Sequence, residues 1–274
     1  MAAELLAVDG VCKGFWRGRS WLGVLKDVSF GVDAGEVVAV IGPRLGGKTT
    51  LLQVAAGMES ADSGCVTLAG RALGDRGERR RLGRGSAGGR ERSAPVLGRD
   101  VVWVGRDGPH QELEVSKYVG WPLAVHGGRR RDARVMAARA LERVGAEDCV
   151  SRCWGELSNW QRVLVGLARG FAGSPHVVVI DDLLDGLGSR DTEVASDLLH
   201  SLVEESEPRC AVLMSAGYFD TAVVIADQVW ALTPRGTLTR RSGRRPSFTD
   251  ERDDVVVPFP KHAETQGSRS TGPT

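Results

Sequence analysis

The chain has 274 residues, 42% of them hydrophobic and 26% charged, with a formal net charge of +1. That length holds one or two domains with a sizeable core, and the near-neutral balance gives no global pull toward nucleic acid or acidic substrates. No apolar run approaches the roughly 20 residues that cross a bilayer, and the start MAAELLAVDG lacks the basic-then-apolar order of an export signal. Five scattered cysteines, Cys12, Cys65, Cys149, Cys153 and Cys210, do not make a disulfide framework. Cys149 and Cys153 have a spacing that shares a helix face, but no further soft ligands accompany them, so reduced thiols in a cytoplasmic protein are expected.

In chain order, LLAVDGVCKGF and VLKDVSFGV read as strands or an edge hairpin. EVVAVIG is an apolar strand that ends at Gly42, opens into PRLGGKT and passes into the helical run TLLQVAAGM. CVTLAG is a further strand. Residues 74–92, GDRGERRRLGRGSAGGRER, have no apolar periodicity and read as a flexible surface insertion. Their arginines lack the interleaved aromatics of a nucleic-acid site, so no nucleic-acid partner is expected. DVVWVG resumes as a strand.

From Asp132 to Val144, the residues Ala133, Val135, Met136, Ala140, Leu141 and Val144 recur at helical spacing, which predicts a helical insertion between strands. HVVVIDD is a nearly continuous apolar strand suited to a parallel sheet. Positions 190–204 read as helix, and CAVLMSAG and QVWALTP as strands. Past Pro234 the composition shifts to arginine, proline, serine and threonine. There, VVVPF offers a short edge strand, and HAETQGSRSTGPT is expected to be disordered. This alternation predicts an α/β fold with a mostly parallel sheet, an N-terminal antiparallel β part and an inserted helical subdomain. The expected division is one domain over residues 1–234, its helical subdomain at about 107–160, and a basic tail over 235–274.

Two segments carry chemistry. Gly42-Pro43-Arg44-Leu45-Gly46-Gly47-Lys48-Thr49 fits the phosphate-loop pattern G-x-x-x-x-G-K-[ST], in the strand–turn–helix setting it requires. Backbone N–H groups of such a loop, running on to Thr50, cradle phosphates. Lys48 would contact the outer phosphates and Thr49 would offer its hydroxyl to Mg²⁺. The plainer alternative is a glycine turn that caps a helix. Val177-Val178-Val179-Ile180-Asp181 supplies the other half of a nucleotide site: Asp181 can hold Mg²⁺ through water, and Asp182 stands where a carboxylate orients an attacking water. Alone, two aspartates also read as a strand end and a helix cap, but with the phosphate loop they predict a P-loop NTPase.

With these motifs in order, the chain resembles the ATP-binding-cassette ATPases, the motor subunits of ABC transporters, over roughly Leu5 to Leu232. Leu157-Ser158 opens the family's signature region, and Arg169 and Pro175 keep the spacing from there to the acidic strand. IDDLLDGLGSRDTE resembles the passage into the dimer-contacting loop, and YVGWPLAVHG the helical-subdomain entry of the lipoprotein-release and macrolide-export type. The resemblance implies ATP and Mg²⁺ as ligands, and adenine stacking on Phe15, or on Trp16 beside it. It implies a head-to-tail pair with a second ATPase subunit, each phosphate loop facing the other's signature. It also implies a membrane-spanning permease gripped between the core and helical subdomains, which would place the chain in the cytoplasm on the inner face of the cell membrane.

The departures from the family pattern are as informative. The signature L-S-G-G-Q is here Leu157-Ser158-Asn159-Trp160-Gln161, with a large ring where glycine lets a helix approach the partner's phosphate. Ser158 and Gln161 still have capping-box spacing, so a well-capped helix is expected whether or not it touches phosphate. The catalytic glutamate falls on Asp182, one methylene shorter, and a base displaced by about 1 Å loses roughly a hundredfold. The switch histidine falls on Gly217, the Mg²⁺-linking glutamine on Arg106, and the dimer-loop aspartate on Gly188. Arginine only donates, so Arg106 cannot ligate Mg²⁺. Leu45 is strained by roughly 1–2 kcal/mol if its backbone takes positive φ, unless Gly46 absorbs it. The pattern predicts an ATP-binding transporter subunit with weak or absent hydrolysis. The alternatives are a non-hydrolysing regulatory or scaffold subunit and, third, a soluble cassette acting on ribosomes or DNA.

Overall fold

The structure, a computed structural model, describes residues 4–73, 100–125 and 130–241. The insertion expected at 74–92, the VVVPF strand and the HAETQGSRSTGPT end lie outside the described residues.

Two long strands, β1 (Leu6–Arg17) and β2 (Ser20–Val32), form an antiparallel hairpin closed at Arg17 opposite Ser20. Two further strands, β4 (Ser63–Leu68) and β5 (Arg71–Ala72), extend it into a sheet of order β2-β1-β4-β5. The second sheet, edged by β10 (Leu238–Arg241), has the order β10-β9-β3-β8-β7-β6. Its parallel part comprises β3 (Val37–Ile41), β6 (Val101–Gly105), β7 (Val177–Asp181), β8 (Ala211–Ala216) and β9 (Gln228–Leu232). These are the short, nearly all-apolar runs that a sheet covered on both faces requires.

Successive residues of these strands serve opposite faces. Val38, Val40, Val179 and Leu213 pack with Leu51 and Leu52 of α1 (Lys48–Ala55) and with Leu6, Val8 and Phe30 of the antiparallel sheet. Helix α1 is therefore sandwiched between the two sheets. Val37, Ala39, Val178, Ile180, Val212 and Met214 turn the other way. They meet α4 (Asn159–Phe171), α5 (Ser189–Glu204) and α6 (Phe219–Ile225).

The helical insertion is a pair, α2 (Val115–Val125) and α3 (Arg130–Arg143), packed through Val115, Val119, Ala137, Ala140 and Leu141. Of the six apolar positions assigned to one helical face, Ala133, Ala140, Leu141 and Val144 are buried, but Val135 and Met136 are exposed. At about 100° per residue those two fall outside the face through 133, 137, 140, 141 and 144. Gly120 and Pro122 sit inside α2, whose helicity the sequence pattern did not reveal. Gly120 earns its place by contact, since a Cβ there would lie 3.0 Å from the Ala133 carbonyl oxygen of α3.

The boundary drawn at residue 234 falls inside a hairpin. β10 (Leu238–Arg241) pairs antiparallel with β9. Thr233 N–H donates to the Thr237 carbonyl at 2.9 Å, and Gly236 has the positive φ of 82° that the tight turn needs. The Lys26 N–H donates to the Gly236 carbonyl at 2.8 Å, which ties this turn back to β2.

Candidate nucleotide site

Parallel strands deliver their C-terminal ends to one edge of the sheet, and the site is built there. Strand β3 ends at Ile41, and the loop runs from Gly42 through residues 43–46 to Gly47, the N-cap of α1. Gly47 has φ 98° and no side-chain cap, so the first N–H groups of the helix lack a side-chain partner. A Cβ on Gly47 would stand 2.6 Å from a methyl of Val24 in β2, and one on Gly42 would stand 2.7 Å from the Leu232 carbonyl oxygen. Lys48 Nζ donates to the carbonyls of Gly42 at 3.0 Å and Pro43 at 3.3 Å, so its ammonium folds over the loop. Arg44 and Thr49 are exposed, and Thr50 is partly buried. Leu45 carries φ 61° with its side chain fully exposed, so the strain falls on it and Gly46 does not take it over.

Beside this loop, β7 ends in Asp181, which is buried. Burial is the main influence that raises the Asp181 carboxyl above its ordinary value, the Asp182 charge adds to the rise, and hydrogen bonds from Ser215 and Thr49 and the Lys48 charge oppose it. Lys48, Thr49 and Asp181 thus converge from two strand ends. A threonine hydroxyl and a carboxylate are the hard oxygen donors that suit Mg²⁺. Among the described residues no cluster of three His, Cys, Asp or Glu side chains could hold a metal ion, so an ion here would draw most of its shell from phosphate and water.

Ser215, near the end of β8, organises the acids. Its hydroxyl lies 2.8 Å from Asp181 Oδ1 and 3.0 Å from Asp182 Oδ1, and it accepts the Asp182 N–H at 2.8 Å. A hydroxyl has one hydrogen, so it serves one carboxylate at a time. Asp182 itself has φ 52°, a backbone conformation that aspartate tolerates better than most residues. Its carboxylate is drawn back toward β8. Sequence reading missed Ser215, whose only local sign is one hydroxyl in an otherwise apolar strand.

The departed positions lie around the same edge. Arg106 follows β6, and its N–H donates to the Asp181 carbonyl at 3.0 Å. Gly188 is the N-cap of α5 and is exposed. Gly217 follows β8, and its N–H donates to Asp185 Oδ1 at 2.9 Å. Asp185 was also missed. Its carboxyl is raised chiefly by burial and further by Asp182, while the Gly217 N–H, Lys48 and Arg106 lower it. A cleft of about 600 Å³ runs from Thr49, Asp181 and Asp182 past Arg106 to Tyr118 and Arg169.

None of Ser158, Asn159, Trp160 and Gln161 lines that cleft. Ser158 Oγ accepts the Gln161 N–H at 3.2 Å, and Gln161 Oε1 accepts the Ser158 N–H at 3.0 Å, which closes the capping box. Gln161 is held further by Arg152 at 3.3 Å and Asp148 at 3.5 Å. Trp160 is partly buried and packs against the main hydrophobic cluster. The Trp160 ring is thus laid partly on the core of its own chain.

At the far end, Phe15 is 40% exposed and lies under Lys13 Nζ, 5.1 Å from the ring centroid. The register pairs Phe15 with Leu22 and Trp16 with Trp21. The two rings are therefore on opposite faces of the hairpin.

No helix among the described residues is long and apolar enough to cross a membrane. The profile of the family described as ABC transporter matches residues 25–184. The taurine import ATP-binding protein TauB of Sinorhizobium fredii is 30% identical over 212 residues, covering 77% of this chain and 71% of that protein. The molybdenum import ATP-binding protein ModC of Mycobacterium tuberculosis is 34% identical over 210 residues, covering 75% of this chain and 53% of that protein. This chain spans about half the length of several such curated relatives. The lipoprotein-releasing system ATP-binding protein LolD 1 of Rhodospirillum rubrum is 27% identical over 206 residues. A bacterial ABC transporter cassette in a dimeric structure shares the fold, with a TM-score of 0.71 at 20% identity over 87% of this chain and 99% of that one. A phosphate loop and acidic strand end brought to one edge of such a sheet, within a family match that spans both, show that the chain belongs to the ABC transporter family, as one of its ATP-binding subunits.

Proposed function

We propose that the chain binds MgATP at the edge formed by β3 and β7, with Phe15 at the base and residues 42–50 around the phosphates. In this reading Thr49 and Asp181 hold Mg²⁺, and hydrolysis is weak. The chain pairs with a second ATP-binding subunit and acts through a membrane-spanning permease, which places it on the cytoplasmic face of the membrane. The carrying observation is the contrast at one sheet edge: Lys48, Thr49 and Asp181 converge, while the Asp182 carboxylate is drawn to Ser215 at 3.0 Å. A base so held is poorly set to orient water, and Arg106, Gly188 and Gly217 supply no replacement. The relatives' names cover import and lipoprotein release, and neither direction is carried over to this chain.

A second reading, a non-hydrolysing subunit that signals by nucleotide-dependent closure, rests on the same Asp182–Ser215 contact. ATP binding and steady-state ATPase activity, measured side by side with and without the co-expressed permease, separate the two. Lys48→Ala is the control for both assays. The first reading expects saturable ATP binding with slow, Lys48-dependent turnover. Binding with no turnover in the presence of the permease establishes the second. Absence of binding under every condition refutes both.

A further inference from the structure

The geometry points to Asp185 as the group that stands beside the terminal-phosphate position in place of the side chain missing at Gly217. It thereby sets how strongly this site prefers a nucleoside triphosphate over a diphosphate. The inference rests on the MgATP-binding reading above and goes beyond it, because Asp185 belongs to none of the phosphate, Mg²⁺ or base positions.

Asp185 lies between β7 and α5, three residues past Asp182. Its Oδ1 accepts the Gly217 N–H at 2.9 Å, which fastens this loop to the end of β8. Its Oδ2 lies 2.8 Å from where a Cβ on residue 217 would be. That is closer than real Cβ contacts, so a side chain at 217 would push the Asp185 carboxylate aside from its present position. One seat at the strand edge has two claimants, and in this chain the claimant from the β7 side holds it.

The surroundings say what the seat faces. Asp185 interacts electrostatically with Asp182, Lys48 and Arg106. Lys48 is the cation of the phosphate loop, and Asp182 is the position nearest the attacking water. Gly217 follows β8, which lies between β3 and β7 in the sheet, so the carboxylate held by its N–H stands at the strand edge between the phosphate loop and the acidic strand end. A third phosphate adds negative charge at that edge, where a diphosphate has none. Charges several ångströms apart in a partly desolvated site interact by amounts that change affinity several-fold. The Asp185 carboxylate therefore penalises the triphosphate relative to the diphosphate, which a neutral side chain in the same seat would not do. The Arg106 charge moderates that penalty.

The test measures binding of MgATP and MgADP to the full chain by calorimetry, alongside thermal unfolding. D185N keeps an oxygen that can accept the Gly217 N–H and removes only the charge. It is expected to tighten MgATP by about three- to tenfold, to change MgADP by less than twofold, and to unfold within a few degrees of the wild type. D185S, neutral and smaller, carries the same expectation for the ratio should D185N fold poorly. G217A alone is expected to lower the unfolding temperature by several degrees, and to cost much less in a D185A background, where the seat is vacant. An ATP-to-ADP affinity ratio unchanged within twofold in both neutral variants overturns the assignment and leaves Asp185 a loop latch. Additive effects of G217A and D185A overturn the shared seat. A wild type that binds neither nucleotide, like Lys48→Ala, overturns the MgATP reading itself and this inference with it.

Discussion

The molecule presents two helix N-termini of opposite character. Helix α1 starts at Gly47 with no side-chain cap, at a position where Val24 leaves no room for a Cβ. Helix α4 starts at Ser158 with a closed capping box, and Gln161 is tied down twice more by Arg152 and Asp148. Both ends carry the same partial positive charge, but at the second the Gln161 N–H is already taken by Ser158, whereas the first has no side-chain acceptor at its cap. The comparison teaches that a helix start becomes a phosphate site through what its sequence withholds. Glycine withholds the side chain that would otherwise satisfy the backbone.

The sharpest way to break this contrast is at Lys48. Its ammonium already bridges two loop carbonyls, so Lys48→Ala removes a charged donor from an otherwise intact cradle. Nucleotide affinity is expected to fall by about 2–3 kcal/mol, roughly 30- to 150-fold, in a binding titration. Next comes Trp160. Because its ring packs partly on the core, Trp160→Ala should destabilise the fold by about 2 kcal/mol, seen as a drop of roughly 4–8 °C in thermal unfolding. An unchanged unfolding temperature would mean that the ring adds nothing to the core of its own chain. Ser158→Ala removes one cap and should cost about 1 kcal/mol, with nucleotide binding by the isolated chain unchanged. A loss of binding there would mean that α4 helps the chain's own site. The smallest effect is expected at Leu45, fully exposed with φ 61°. Leu45→Gly should relieve strain and raise stability by about 0.5–1 kcal/mol, measured by chemical denaturation.

Legibility in the sequence followed the range of the interaction. Strands β3, β7, β8 and β9 were readable because burial on both faces leaves continuous apolar runs. The phosphate loop and the Ser158–Gln161 box were readable because each is written within eight residues or fewer. Helix α2 was not, since Gly120 and Pro122 speak locally against a helix and only the close approach of α3 explains the glycine. Asp185 and Ser215 escaped for the same reason. Their partners are 32 to 34 residues away, and nothing local distinguishes a carboxylate that will meet a glycine N–H from one that faces solvent. Trp160 illustrates the remaining gap: its position in the motif was clear, but the direction of its ring depends on a core assembled from distant segments.

The crowding behind the phosphate loop has a consequence of its own. Gly42 nests on Leu232, Gly47 on the Val24 side chain and Gly236 on the Val24 carbonyl, so these chain segments interlock with no room for a single added carbon. A loop clamped from the rear in this way is already cast before any nucleotide arrives. Little ordering entropy is then lost on binding, and the mould is set by residues that never touch the ligand. Substituting those remote residues would blunt nucleotide capture while leaving every phosphate-contacting group in place.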